Sequence, residues 1–150
     1  MTSSRQLQIL IQLSQRDLDR SVVKLTELSA KCHVETQKLD YLRNVASEYQ
    51  RNSLLFSNQT FELAALHRQQ QFSQRLDAAI EEQLGRCSQL EQQLLSAQHR
   101  ALAQRRRIMT LQKLIARQSS LERTLLERAE QKRSDEFAAR TYSPLEGLAL

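Results

Sequence analysis

The chain has 150 residues, a formal net charge of +5 and a mean hydropathy of −0.57, and only 5% of its residues are aromatic, with no Trp. That is a poor supply for a compact core, which needs large side chains on facing surfaces. Gly occurs twice and Pro once, so the composition favours long helices of the coiled-coil class, and one domain over 1–150 is the expectation.

The N-terminus, MTSSRQLQILIQLSQRD, lacks an apolar core of adequate length and a small-residue cleavage site, so no signal peptide is read there. No stretch approaches the roughly 18 to 20 apolar residues that span a bilayer, so no membrane insertion is expected. The first helix is expected over about 4–54, started by a capping box of Ser3 with Gln6. Its apolar positions alternate at spacings of four and three: Leu7, Ile11, Ser14, Leu18, Ser21, Leu25, Leu28, Cys32, Glu35, Leu39, Leu42, Ala46 and Tyr49. Ten of these thirteen are apolar, the pattern of a heptad seam rather than a strand. A polar chain like this one competes with disorder, and the leucine spacing argues against it.

A turn follows at about 55–60, where Asn52, Ser53, Ser57, Asn58 and Thr60 cluster and compete for local backbone hydrogen bonds. Thr60 followed by Glu62 would cap and charge the start of a second helix. That helix is expected over about 61–140, with a seam from Leu76 through Ile80, Gln83, Cys87, Leu90, Leu94 and Ala97. The seam continues through Ala101, Gln104, Ile108, Leu111, Ile115, Gln118, Glu122, Leu125 and Ala129; twelve of the sixteen positions are apolar. The tail 141–150, with the only proline, Pro144, is expected to be disordered.

A short connection makes neighbouring helices antiparallel. The fold class is therefore all-α: an antiparallel two-helix coiled-coil hairpin with a longer second helix. If facing residue numbers sum to 115, Leu7 meets Ile108, Leu25 meets Leu90 and Leu39 meets Leu76. Residues from about 112 to 140 are then left without a partner, an overhang on the order of 40 Å long. It carries Leu114, Ile115, Leu121, Leu125, Leu126, Ala129 and Phe137, the stripe of a docking element. Charge concentrates there too. Residues 104–140 hold ten Lys+Arg against five Asp+Glu, beginning at Arg105, Arg106 and Arg107.

Catalytic chemistry has no foothold. His33, His67 and His99 lie far apart with no partner at metal-ligand spacing, and no phosphate loop, HExxH or GxSxG occurs. Glu81 and Glu82 are adjacent, but a thin hairpin offers nothing to desolvate them. Cys32 and Cys87 sit at seam positions as ordinary packing, one layer apart, and are expected to stay free thiols. Two such cysteines suit a reducing cytosol. No enzyme, no cofactor and no metal are expected. A basic helix can also suggest nucleic acid, but Glu122, Glu127, Glu130, Asp135 and Glu136 interrupt the basic run and no aromatic platform accompanies it. No nucleic acid partner is expected.

The stretch "QKRSDEFAAR" (131–140) resembles the C-terminal signature of the flagellar FliJ family, a run of the QKKxDEFAxR kind. "LDYLRNVASEYQRN" (39–52) and "QQFSQRLDAAIEEQ" (70–83) match that family's pattern in the same order and spacing. The resemblance implies a cytoplasmic component of the flagellar type III export apparatus, peripheral to the inner membrane. It implies a stalk that docks into the hexameric export ATPase, FliI, contacts the export gate component FlhA and assists export chaperones, in the service of motility and chemotaxis. On this resemblance Leu42, Tyr49, Phe72, Leu76 and Ala79 would serve the gate, while Lys38, Val45 and Gln83 depart from the family there. The heptad instead puts Leu42, Tyr49 and Leu76 in the seam and 38, 45, 72 and 79 on its flank. ATPase docking would fall to Leu121, Leu125, Arg128, Lys132, Arg133, Asp135, Glu136 and Phe137. The equivalent coiled coil of a virulence secretion system and a basic nucleic-acid-binding coiled coil are the alternatives.

Overall fold

The computed structural model describes residues 2–56 and 62–142, and two helices account for nearly all of them: α1 (Thr2–Phe56) and α2 (Leu63–Tyr142). They are in contact as a two-helix hairpin whose second helix is the longer. Helices of 55 and 80 residues persist because little interrupts them. Within α2, Gly85 is exposed and keeps an ordinary helical backbone, with no positive φ. Thr26, Thr36, Thr110, Thr124 and Thr141 each turn a hydroxyl back to the carbonyl four residues earlier, which occupies a group that otherwise competes with the helix.

The helix ends differ from expectation in detail. α1 already includes Thr2, so Ser3 lies inside the first turn and the Ser3–Gln6 box does not start the helix. At the start of α2, the Glu62 carbonyl accepts from the Ala65 and Leu66 amides at 3.0 and 3.3 Å. Glu62 therefore stands at the cap position just before α2, where a negative charge suits the positive end of the helix dipole. Thr60, the expected cap, lies outside the described residues, as do most of the expected turn (57–60) and most of the expected tail (143–150). α2 continues to Tyr142, two residues into that tail.

The chain divides into two units, Leu18–Ala103 and Met1–Asp17 with Gln104–Leu150. In Leu18–Ala103, Leu39, Gln83 and Cys87 are buried, and the remaining predicted seam positions, from Leu18 to Tyr49 and from Leu76 to Ala101, are partly buried. Cross-helix contacts join Glu35 to Gln83, Tyr49 to Gln69 and Phe72, and Ser53 to Gln69. The residue numbers of these pairs sum to between 118 and 122, somewhat above the expected 115. Side chains on a helix lean toward its N-terminus, so tips that meet across an antiparallel pair belong to residues of higher combined number than backbones that lie level. Cys32 and Cys87 are both free thiols. Partial burial, with the Glu91 carboxylate and Cys87 nearby, pushes the Cys32 thiol upward in pKa, which leaves it a poor nucleophile.

In the other unit, Ser14 and Ile108 are buried and Leu7, Ile11, Gln104, Leu111, Ile115 and Gln118 are partly buried. From Ser119 to Tyr142 every residue is exposed. The free part of α2 thus begins later than the sequence suggested, at 119 rather than about 112. Backward-leaning side chains at Ile115 and Gln118 still cover the turn N-terminal to their own backbone, which prolongs the seam beyond the last level pair.

Candidate docking surfaces

What the described residues offer is exposed helix faces and open grooves along them. Among the described residues no cluster of His, Cys, Asp or Glu could hold a metal ion, and no helix is long and apolar enough to cross a membrane.

The first candidate surface lies in Leu18–Ala103. Leu42, Tyr49, Leu76 and Ala79 are partly buried and Phe72 is 45% exposed. Tyr49 on α1 and Phe72 on α2 meet with ring centroids 4.7 Å apart and planes at 52°, and the Tyr49 hydroxyl donates to the Gln69 carbonyl at 3.4 Å. Large side chains therefore straddle the seam edge, packing with one side and presenting the other. Such tilted aromatic pairs gain about 0.5–1.5 kcal/mol beyond the area they bury.

Lys38, Val45 and Gln83, which the resemblance set apart from these five, are arranged differently. Val45 is partly buried on the flank. Lys38 is exposed and donates to Glu35 at 2.8 Å. Gln83 is buried, and its amide donates both to the Glu35 carbonyl at 2.9 Å and to the Glu35 carboxylate. Hydrogen bonds from Lys38 and then Gln83 hold the Glu35 carboxyl below its ordinary pKa. Sequence layering had set Gln83 against Cys32 and Glu35 against Ile80, so this polar pairing was missed; two polar residues at seam positions on facing helices were the available signal. Beside it, Val34, Gln37, Lys38, Tyr41, Leu42 and Gln83 line an open groove with Tyr41 68% exposed. Val34 and Tyr41 also went unremarked in the sequence, although a spacing of seven sets them on one face of α1 away from the seam.

The second candidate surface is the free part of α2. Leu121, Leu125, Leu126 and Phe137 are 58%, 64%, 66% and 73% exposed, and Arg128, Lys132, Arg133, Asp135 and Glu136 are exposed around them. At about 100° per residue, Leu121, Leu125, Arg128, Lys132 and Asp135 share one ridge. Leu126, Arg133 and Phe137 stand on another, about 100° around the helix from Leu125. The structure therefore brings the predicted ATPase-docking residues onto one bare helix as two ridges rather than a single stripe. Large apolar side chains thus stand exposed on both ridges of this stretch.

This combination finds its match in one family model. The flagellar FliJ protein family matches residues 3–144, which takes in both candidate surfaces and the seam between their residues. The chain belongs to the flagellar FliJ family. It is accordingly a component of the flagellar export apparatus, and a non-catalytic one. No curated protein and no solved structure matches the chain.

Proposed function

We propose that this FliJ-family chain is the coiled-coil stalk of the export apparatus, docking its free helical segment into the hexameric export ATPase FliI. Leu121, Leu125, Arg128, Lys132, Arg133, Asp135, Glu136 and Phe137 carry that contact. The stripe of Leu42, Tyr49, Phe72, Leu76 and Ala79 meets the gate component FlhA, and the hairpin assists export chaperones. The protein works in the cytoplasm, held at the inner membrane by these partners rather than by insertion.

The observation that carries this reading is the bare stretch 119–142, helical although every residue in it is exposed. Burying its leucines and Phe137 against a partner would supply about 1.5–3 kcal/mol per large apolar side chain. The deciding experiment is a pull-down of the full chain with the purified export ATPase. Capture that disappears when 120–150 are removed supports the reading, and capture that survives the removal overturns it.

A further inference from the structure

The seam of Leu18–Ala103 poses a question of register. Heptad repeats are self-similar, so sliding α1 past α2 by seven residues exchanges aliphatic layers for other aliphatic layers. Leu18, Leu25 and Leu39 repeat at one seam position of α1, and Leu76 and Leu90 repeat at one of α2. Apolar packing alone therefore discriminates poorly between neighbouring registers, whereas a polar seam residue that needs a partner discriminates strongly.

Among the predicted seam positions of this unit, Leu18 to Tyr49 and Leu76 to Ala101, Glu35 is the single carboxylate and Gln83 the single amide, and they meet; outside that span a second polar contact joins Gln69 to Ser53. The Gln83 amide is buried and donates to both the backbone carbonyl and the carboxylate of Glu35, which Lys38 also grips at 2.8 Å. One heptad away from Glu35 in either direction stands a leucine, Leu28 or Leu42. A slip in either sense would set the buried amide against an aliphatic side chain. A backbone carbonyl stands at every register, but the carboxylate acceptor stands only at Glu35, so a slipped Gln83 would lose that partner while buried, whereas the leucine layers would be almost indifferent.

We infer that Glu35 and Gln83 form a register lock, which holds α1 and α2 in the single alignment that assembles the surface shared by the two helices. Leu42 and Tyr49 of that surface come from α1, and Phe72, Leu76 and Ala79 from α2. A slip of seven residues would displace one half past the other by about 10 Å and part Tyr49 from Phe72. Glu35 and Gln83 are thus positioning residues for a surface to which neither need contribute a contact. The lock itself rests on the hydrogen bonds; its bearing on FlhA rests on the function proposed above.

The test measures register directly. Spin labels at Gln37→Cys and Ser96→Cys, in the full chain carrying Cys32→Ala and Cys87→Ala, report the axial offset of the two helices by pulsed electron resonance. The chain with Glu35 and Gln83 intact should give one narrow distance. Gln83→Leu keeps the seam apolar and so keeps the hairpin folded, but removes the lock; it should add a second population displaced by about 10 Å. Glu35→Gln retains an acceptor for the Gln83 amide and should keep the single distance. A Gln83→Leu chain with one unchanged narrow distance overturns the lock. FlhA capture, measured on the same samples, separates the two readings. A shifted register with undiminished capture leaves the lock standing and removes the gate assignment, whereas lost capture with an unshifted register does the reverse.

Discussion

Residues 104–118 and 119–142 of α2 belong to one uninterrupted helix and carry the same repeat of apolar positions. In the first stretch Ile108 is buried and Gln104, Leu111, Ile115 and Gln118 are partly buried; in the second, Glu122, Leu125 and Ala129 stand at the next seam positions and are exposed. Nothing in the repeat changes at 119. What changes is coverage: Gln118 is the last partly buried residue of α2 and every described residue from Ser119 is exposed. The same pattern thus packs where it is matched and stands exposed, as the proposed docking surface, where it is not.

The largest contrast is predicted for removal of the unmatched part. Deleting 120–150 takes away no described seam contact, so thermal melting of the remaining hairpin should be almost unchanged by circular dichroism. The same deletion should abolish stimulation of the export ATPase. If stimulation and motility both survive, 119–142 is not the stalk tip.

A single-residue version compares two leucines of similar chemistry. Leu39 is 5% exposed and Leu125 is 64% exposed. Leu39→Ala removes a buried side chain from a seam with few alternatives and should cost about 2–4 kcal/mol in urea melts. Leu125→Ala should fall within about 0.5 kcal/mol of the parent. Equal costs would mean that the free stretch is covered in solution, most simply by a second copy of the chain.

How far this contrast was legible in the sequence depends on which half of it is considered. Every seam position named from Leu7 to Tyr49 and from Leu76 to Gln118 is buried or partly buried, because spacing alone decides which side of a helix is apolar. The end of the seam was misjudged by about seven residues, since a repeat does not state where its partner stops and side-chain lean carries coverage past the last level pair. The two ridges of 119–142 were likewise merged into one stripe, because Leu125 and Phe137 are both apolar and neither has a seam partner to fix its direction. The Glu35–Gln83 pairing was hidden by assigning layers from number sums, which describe backbones and not where long side chains reach. The family signature made the export role readable, since that information lies in motif identity rather than in periodicity.

The chemistry of docking gives a smaller and more selective effect. Leu125→Ala with Phe137→Ala strips one apolar group from each ridge and leaves the charges in place. If burial of the ridges drives docking, this variant should bind the ATPase at least tenfold more weakly, and raising salt should change parent binding little. Normal binding by the variant, with release of the parent at moderate salt, would assign recognition to Arg128, Lys132 and Arg133 instead.

The smallest effect belongs to the matched region and follows from Glu35. Its carboxyl is held below the ordinary value by hydrogen bonds from Lys38 and Gln83. A depressed pKa means that the folded hairpin favours the ionised form more than the unfolded chain does. The associated stability is present above the unfolded value near 4.5 and is lost as pH falls through the lower, folded one. Lys38 is largely exposed, and solvent screens its share of the interaction, so the change should be modest. It should nonetheless be specific. Urea midpoints measured from about pH 6 down to about pH 3 should fall further for the parent than for Glu35→Gln, which keeps an acceptor but has no proton to gain. The free stretch supplies the control: Glu136→Gln, at an exposed position of 119–142, should leave the acid dependence of the hairpin unchanged. Parallel curves for the parent and Glu35→Gln would mean that the carboxylate contributes nothing to the seam and that Gln83 is held by the Glu35 carbonyl alone.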